Sequence, residues 1–400
     1  MDLKLLFLTT EYPPYIFGGG GVFAYNLTRY LSRMGVSVCV ISKGMEFKEK
    51  EFNNDNIVVY RVKTPEIPPK HVWFQLYGLK KIISIINKIK PDIIHANSFS
   101  AAIIFRYLKN SHFNYPLITT LHGYPRHYLR LSLHSLASSR NIGQLSTYVL
   151  GYPVWDLLLS NEVKYSDIIV TMSSYVIESL YTDYKVNRSK LIYIPNGIDL
   201  SLINDSICKY YKQSLHNRNK YIVLTGGRMF YEKGLFLIPY IAKKLKTKGY
   251  KNIEFIIFGD GPYRDFINKV AEKLDILDIV RILGALPHRI VLSLICLADI
   301  VLVPSIYELM PMFMLEAIAL KKPVIALKSM YIEDIVSKGI SLELAQGISD
   351  MAEKIVNVIN RYSEWSKIAE SNFEVLKREF EISVIAQKYL NIYEQLLEED

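Results

Sequence analysis

Short runs rich in β-branched residues alternate with longer amphipathic stretches along the whole chain, the pattern of parallel sheets covered by helices. In the first half the runs Leu3–Thr9, Val36–Ser42, Ile57–Val62, Asp92–Ala96, Leu117–Leu121 and Asp167–Thr171 predict strands. The second half repeats the pattern at Tyr221–Thr225, Ile253–Phe258, Val280–Leu283, Ile300–Val303 and Pro323–Ala326. Between the halves, Ile194-Pro-Asn-Gly-Ile-Asp199 is a turn signal, followed by a polar, sheet-free stretch to about Lys220. The expected fold is therefore α/β, with two Rossmann-like domains over 1–200 and 201–375. From Phe373 to about Leu397 a single helix is expected, with Val375, Phe380, Ile382, Ile385, Tyr389, Ile392 and Leu396 roughly on one side.

Half of the 400 residues are apolar and 22% are charged, so a large core is available and disorder is not expected. The net charge of +9 points to an anionic partner: a nucleotide diphosphate, an anionic lipid or a nucleic acid. No basic-aromatic module supports the last of these, and no nucleic-acid partner is expected. Cys39, Cys208 and Cys296 lie far apart and form no Cys-x-x-Cys unit, so neither a disulfide nor a zinc site is expected, and a reducing interior is the default. The apolar run before Glu11 is too short for a signal-peptide core, and no apolar stretch reaches the roughly 20 residues a bilayer span needs. The expectation is a cytoplasmic protein, soluble or peripheral at the membrane face.

Four segments carry chemistry. Gly18-Gly19-Gly20-Gly21 follows the first strand and opens the helical run Val22–Met34, where a ligand can approach the backbone and free N–H groups face an anion. A dinucleotide site would place a carboxylate at the end of the second strand; Ile41-Ser42-Lys43 has none, which argues against NAD. His122 in Thr119-Thr120-Leu121-His122-Gly123, and His95 in Ile93-Ile-His-Ala-Asn97, stand at strand ends, where open α/β sheets bind ligands. A lone histidine there is more often structural. Arg228 and Lys233 flank the turn from strand to helix after Gly226-Gly227. Basic residues near a helix N-terminus oppose the dipole, so a bound anion is the expected compensation. Gly259-Asp260-Gly261-Pro262 is a turn. Glu308 and Glu316 lie in Pro304-Ser-Ile-Tyr-Glu308-Leu-Met-Pro311-Met-Phe-Met-Leu-Glu316-Ala, where nearly all neighbours are apolar and a carboxylate needs partners.

In these motifs, and in their order, the chain resembles the retaining glycosyltransferases of the GT-B fold, in the family that includes sucrose synthase and bacterial mannosyltransferases. The resemblance implies a metal-independent hexosyltransferase without organic cofactor. It would move sugar from a nucleotide-diphosphate sugar, UDP- or GDP-linked, to a glycan or lipid-linked acceptor, as in cell-surface polysaccharide, glycolipid or N-glycan assembly. It places Arg228 and Lys233 on the diphosphate, Glu308 on the transferred sugar and Glu316 on the ribose. The amides of Met312 and Phe313 would reach the phosphate, and Gly259 and Gly261 would lie beside the base. It puts Gly18, Gly19 and Gly21 on the donor side, Gly20, His95 and Arg126 on the acceptor side, and His122 at the reaction centre, with the site in a cleft between the domains. A terminal helix, 376–400, is expected to pack back on the first domain. Asp260 stands alone in its turn, so no metal-binding acidic motif is expected.

Two positions depart from the family. Leu309 replaces a usual glycine, and Ile325–Glu333 lacks the usual Gly-Gly turn that offers N–H groups to the donor. These keep two alternatives open: an epimerase or hydrolase using the donor alone, and a degenerate nucleotide-sugar binder. Between the fifth and sixth strands, Arg126, Arg130 and His134 recur every four residues beside Leu129, Leu133 and Leu136. Together with Tyr148, Tyr152 and Trp155, the segment 124–160 is a candidate contact with an anionic membrane. Oligomeric state is not legible.

Overall fold

A computed structural model of the chain describes residues 3–16, 18–45, 48–52, 57–67, 69–111, 113–131, 142–203, 208 and 220–398. The chain divides into two compact units. Of the described residues, the first takes in 3–126, 149–197 and 382–398, and the second 127–131, 142–148 and 198–381.

The first unit holds β1 (Lys4–Thr9), β2 (Ser37–Gly44), β3 (Lys48–Phe52), β4 (Val58–Lys63), β5 (Ile93–Asn97), β6 (Leu117–Leu121), β7 (Ile168–Thr171) and β8 (Leu191–Tyr193) in one sheet, ordered β3-β4-β2-β1-β5-β6-β7-β8. All pairs are parallel except β3–β4. The central strands are apolar on both faces because α1 (Gly19–Arg33), α2 (Lys70–Ile89), α3 (Ala102–Lys109), α4 (Ile142–Tyr165) and α5 (Ser174–Tyr184) take up the connections, as parallel sheets require. Leu6, Leu8, Ile94 and Ala96 from the sheet pack with Phe74, Ile82 and Phe105 from α2 and α3 into one buried cluster. The loop after β5 is held by Glu162 of α4, whose fully buried carboxylate accepts from the amides of Phe99 and Ala101 at 2.8 Å each.

The second unit holds β9 (Tyr221–Gly226), β10 (Ile253–Phe258), β11 (Val280–Ile282), β12 (Ile300–Val303), β13 (Val324–Leu327) and β14 (Glu343–Ala345), all parallel, ordered β11-β10-β9-β12-β13-β14. Its helices are α6 (Ile238–Thr247), α7 (Arg264–Lys273), α8 (His288–Leu297), α9 (Met312–Ala319), α10 (Met330–Val336), α11 (Ile348–Asn360) and α12 (Tyr362–Glu379).

The expected terminal helix is two helices. The chain breaks at Phe380-Glu381, where the Phe380 carbonyl accepts the Ile198 amide at 2.8 Å, and resumes as α13 (Ile382–Glu398), part of the first unit. There Tyr389 and Tyr393, both fully buried, reach His95 and Thr120. The expectation for the cysteines is corrected too: Cys208 and Cys296 are disulfide-bonded, with S–S 2.02 Å, across 88 residues of sequence. Spacing in sequence carries no information about a pair that the fold brings together.

Candidate functional site

In the second unit the strand ends are laced by backbone bonds. The Gly259 amide donates to Gly284 at 2.7 Å, the Met229 amide to Asp260 at 2.8 Å, and the Tyr263 amide to Met229 at 2.9 Å. Gly259 sits at φ +115°, and a Cβ there would lie 1.8 Å from the Gly227 carbonyl oxygen, so only glycine fits. At Gly261, φ +150°, a Cβ would lie 2.8 Å from the Met229 carbonyl oxygen. Arg228 follows, exposed, its guanidinium 5.3 Å from the Phe230 ring centre. Gly234, at φ +65°, lets the Lys233 turn press on the Pro304 carbonyl. The Ile306 and Tyr307 amides donate back to the Glu232 carbonyl at 2.8 and 3.1 Å. Through this clasp Lys233 and Glu308 form an ion pair, and Ser305 Oγ donates to the other Glu308 oxygen at 3.0 Å. Both side chains are about four-fifths covered, at 18% and 21% exposure.

Pro311 is the N-cap of α9. The Met314 and Leu315 amides close on its carbonyl, so those of Met312 and Phe313 begin the helix without intrahelical partners. No acidic side chain lies in that first turn, which leaves a place for an anion. Glu316, on the next turn, accepts from His288 Nε2 at 2.7 Å, and this bond raises the imidazole's pKa. Glu308 and Glu316 thus rest on a lysine and a histidine. Among the described residues no group of three or more His, Cys, Asp or Glu side chains is gathered as a metal site.

In the first unit, Gly20, Asn97 and His122 converge. Asn97 Nδ2 donates to the Gly20 carbonyl at 3.0 Å and to Thr9 Oγ1 at 3.2 Å, which uses both its protons. Its Oδ1 must then accept, and it lies 2.5 Å from His122 Nε2. The His122 proton is therefore on Nε2, and Nδ1 keeps a lone pair free to accept from a hydroxyl. Burial lowers the His122 pKa to about 3, so the ring is neutral, and Phe23 braces it edge-on at 4.7 Å.

Models of two sequence families match the chain side by side: glycosyltransferase family 4 over residues 17–202 and glycosyl transferases group 1 over residues 208–372. The chain is a GT4-type glycosyltransferase. An uncharacterized glycosyltransferase of Methanocaldococcus jannaschii is 27% identical, over 81% of this chain and 80% of its own. The GPI3 subunit of a Saccharomyces cerevisiae phosphatidylinositol N-acetylglucosaminyltransferase is 22% identical over 98% of this chain and 83% of its own. A sucrose-phosphate synthase from Thermosynechococcus elongatus superposes over the full length of both chains with a TM-score of 0.78 at 17% identity. Anabaena HepE, solved with UDP-glucose, covers 98% of this chain and 100% of its own with a TM-score of 0.72 at 18% identity. The glycosyltransferase has the GT-B fold.

Within it, three expectations change. His95 lines no surface: it is fully buried, with Nδ1 2.7 Å from Tyr393 Oη and Nε2 2.8 Å from Thr120 Oγ1, its ring stacked on Tyr389. Arg126 is no free cation for an acceptor or a membrane. It pairs with Asp183 at 3.2 Å and Asp156 at 3.6 Å and lies over the Tyr184 ring at 4.9 Å. Tyr124 and Tyr184 donate to the same two carboxylates. His134 lies outside the described residues. At the α1 start, the Gly18 amide does not stand open to an anion, because the Glu11 carboxylate accepts from it at 3.0 Å. Sequence reasoning missed Asn97, Glu11 and His288, whose partners are 25, 7 and 28 residues away and so leave no local signal.

Proposed function

We propose that the glycosyltransferase is a metal-independent, retaining hexosyltransferase. It takes a hexose from a UDP- or GDP-linked donor to a glycan or lipid-linked acceptor at the cytoplasmic face of a membrane. The observation that carries the donor half of this reading is the Lys233–Glu308 pair beside the open amides of Met312 and Phe313. When donor binds, the pair separates: Lys233, with Arg228, meets the diphosphate, and Glu308 meets the sugar hydroxyls. Glu316 exchanges His288 for the ribose. His122 Nδ1 accepts from a hydroxyl of the transferred sugar. The anomeric C–O bond to the diphosphate breaks, and a bond from acceptor oxygen to the anomeric carbon forms on the same face. The acceptor proton passes to the leaving phosphate oxygen. Negative charge gathers on the diphosphate in the transition state, so fixed cations there lower the barrier. The HepE complex with UDP-glucose supports a nucleotide-sugar donor.

A second reading, a binder without turnover, rests on the altered loop. β13 runs through Lys328-Ser329 directly into α10, and Tyr331 there is buried edge-on against Tyr307 at 4.8 Å. The test is a donor panel of UDP-, GDP- and ADP-sugars, with EDTA present, with and without a membrane-lipid extract. Extract-dependent release of one diphosphate, absent in Lys233→Ala, is the expected outcome. Release without extract makes the protein a hydrolase or epimerase. Calorimetric binding with no release establishes the binder.

A further inference from the structure

Helix α2 carries Lys70, Lys80, Lys81 and Lys88 and no acidic residue in its 20 positions. One face, with Phe74, Gly78, Ile82 and Ile86, is buried toward β4 and α3. The opposite side opens on exposed apolar residues: Leu76 is 50% exposed and Tyr77 66%. Ile67, in the turn just before the helix, is 63% exposed, and half-buried Trp73 sets its ring edge to Tyr77 at 5.8 Å. Exposed Lys80 follows one turn on, and exposed Lys63 ends β4. Glu66, the acid beside this group, is held by Lys43 and by Lys70 at 3.0 Å, which leaves the surroundings positive. Because β4, β5 and β6 run parallel with the rest of the sheet, the patch stands at their carboxyl edge, where Asn97 and His122 also lie.

We propose that this end of α2 docks on an anionic lipid bilayer. Ile67, Trp73, Leu76 and Tyr77 enter the headgroup layer, and Lys63 and Lys80 meet lipid phosphates. Exposed aromatic and aliphatic side chains ringed by lysine are the chemistry of interfacial binding. Charge decides between occupants. A second copy of the chain would bring lysine against lysine, whereas an anionic surface matches the whole helix. The proposal is independent of the transfer reaction.

Co-sedimentation with phosphatidylcholine vesicles, with and without phosphatidylglycerol, tests it. Binding is expected only with phosphatidylglycerol and should weaken with salt. The double change Leu76→Glu/Tyr77→Glu should lower partitioning at least about tenfold, because two apolar insertions are lost. Lys80→Ala should lower it about fivefold. These side chains are exposed, so unfolding temperatures should be unchanged. Vesicle binding that survives the double change, or that Arg130→Glu abolishes instead, overturns the proposal. So does no binding by the wild-type protein, or a concentration-dependent dimer that the double change dissolves.

Discussion

Replacing Lys233 by Met removes a cation while keeping most of the side chain's bulk, and two consequences separate cleanly. Without ligand, Glu308 keeps only the 3.0 Å bond from Ser305 Oγ, in a position about four-fifths covered. A half-satisfied carboxylate there costs about 1–3 kcal/mol of stability. With donor, the loss of one cation from the developing diphosphate charge costs about 2–4 kcal/mol, or about thirty- to a thousandfold in kcat/KM. Lys233→Met/Glu308→Gln distinguishes the two. A neutral amide no longer needs the cation, so the double variant should regain the lost stability in thermal unfolding. Transfer, measured as diphosphate release with acceptor, should stay slow. A double variant with wild-type kcat/KM would mean that Lys233 acts only by neutralising Glu308, and the diphosphate role would be abandoned.

Asn97→Leu should cost about tenfold or more in kcat/KM with the fold retained, because His122 loses the acceptor that fixes its tautomer. Asn97→Asp, which still accepts from Nε2, should lose less. Burial holds His95 at about pKa 3, with a smaller push from His122, against an ordinary 6.5. Between those values the unfolded chain binds a proton that the folded one refuses, so stability is full above pH 6.5 and falls on acidification. His95→Gln should flatten the fall in unfolding temperature below neutrality. Glu162 acts in the opposite direction: burial lifts it to about 7 from 4.5, so its contribution is lost as pH rises through that window, and Glu162→Gln isolates it. His288 is raised because its Nε2 donates to the Glu316 carboxylate, so the bond is strongest in acid and weakens as pH rises. Donor KM should therefore increase on acidification in the wild type and not in His288→Ala. Gly259→Ala, at φ +115° against a backbone oxygen, should destabilise by about 1–3 kcal/mol or more in urea unfolding.

What could be read from the sequence follows how local each signal is. Strands such as Leu117–Leu121, Ile253–Phe258 and Ile300–Val303 are short, β-branched and mostly apolar runs and were legible to the residue. Lys48–Phe52 escaped because Lys-Glu-Lys-Glu-Phe has no apolar run, as an antiparallel edge strand permits. Leu191–Tyr193 and Glu343–Ala345 are three residues each, too short to show a period. Phe380 fits the helical stripe it interrupts, and the break coincides with long-range pairing to Ile198, which no local pattern announces. In the site, Lys233, Glu308 and Glu316 sit in recognisable local patterns. His95 and Arg126 also carry the right chemistry in plausible places, but burial and ion pairing decide their use, and neither is written in the neighbouring residues.

The His95–Tyr393 bond also orders events during synthesis. β5 and β6 emerge from the ribosome early, with His95 and Thr120 facing the place that α13 takes up. Until Tyr393 has been made, almost 300 residues after His95, both imidazole nitrogens are partnered by Thr120 and solvent alone. The first unit to be translated is thus the last to be finished, and the second can close its sheet while the first still waits. A released chain truncated after Glu381 should show a protease-sensitive first unit and a resistant second one.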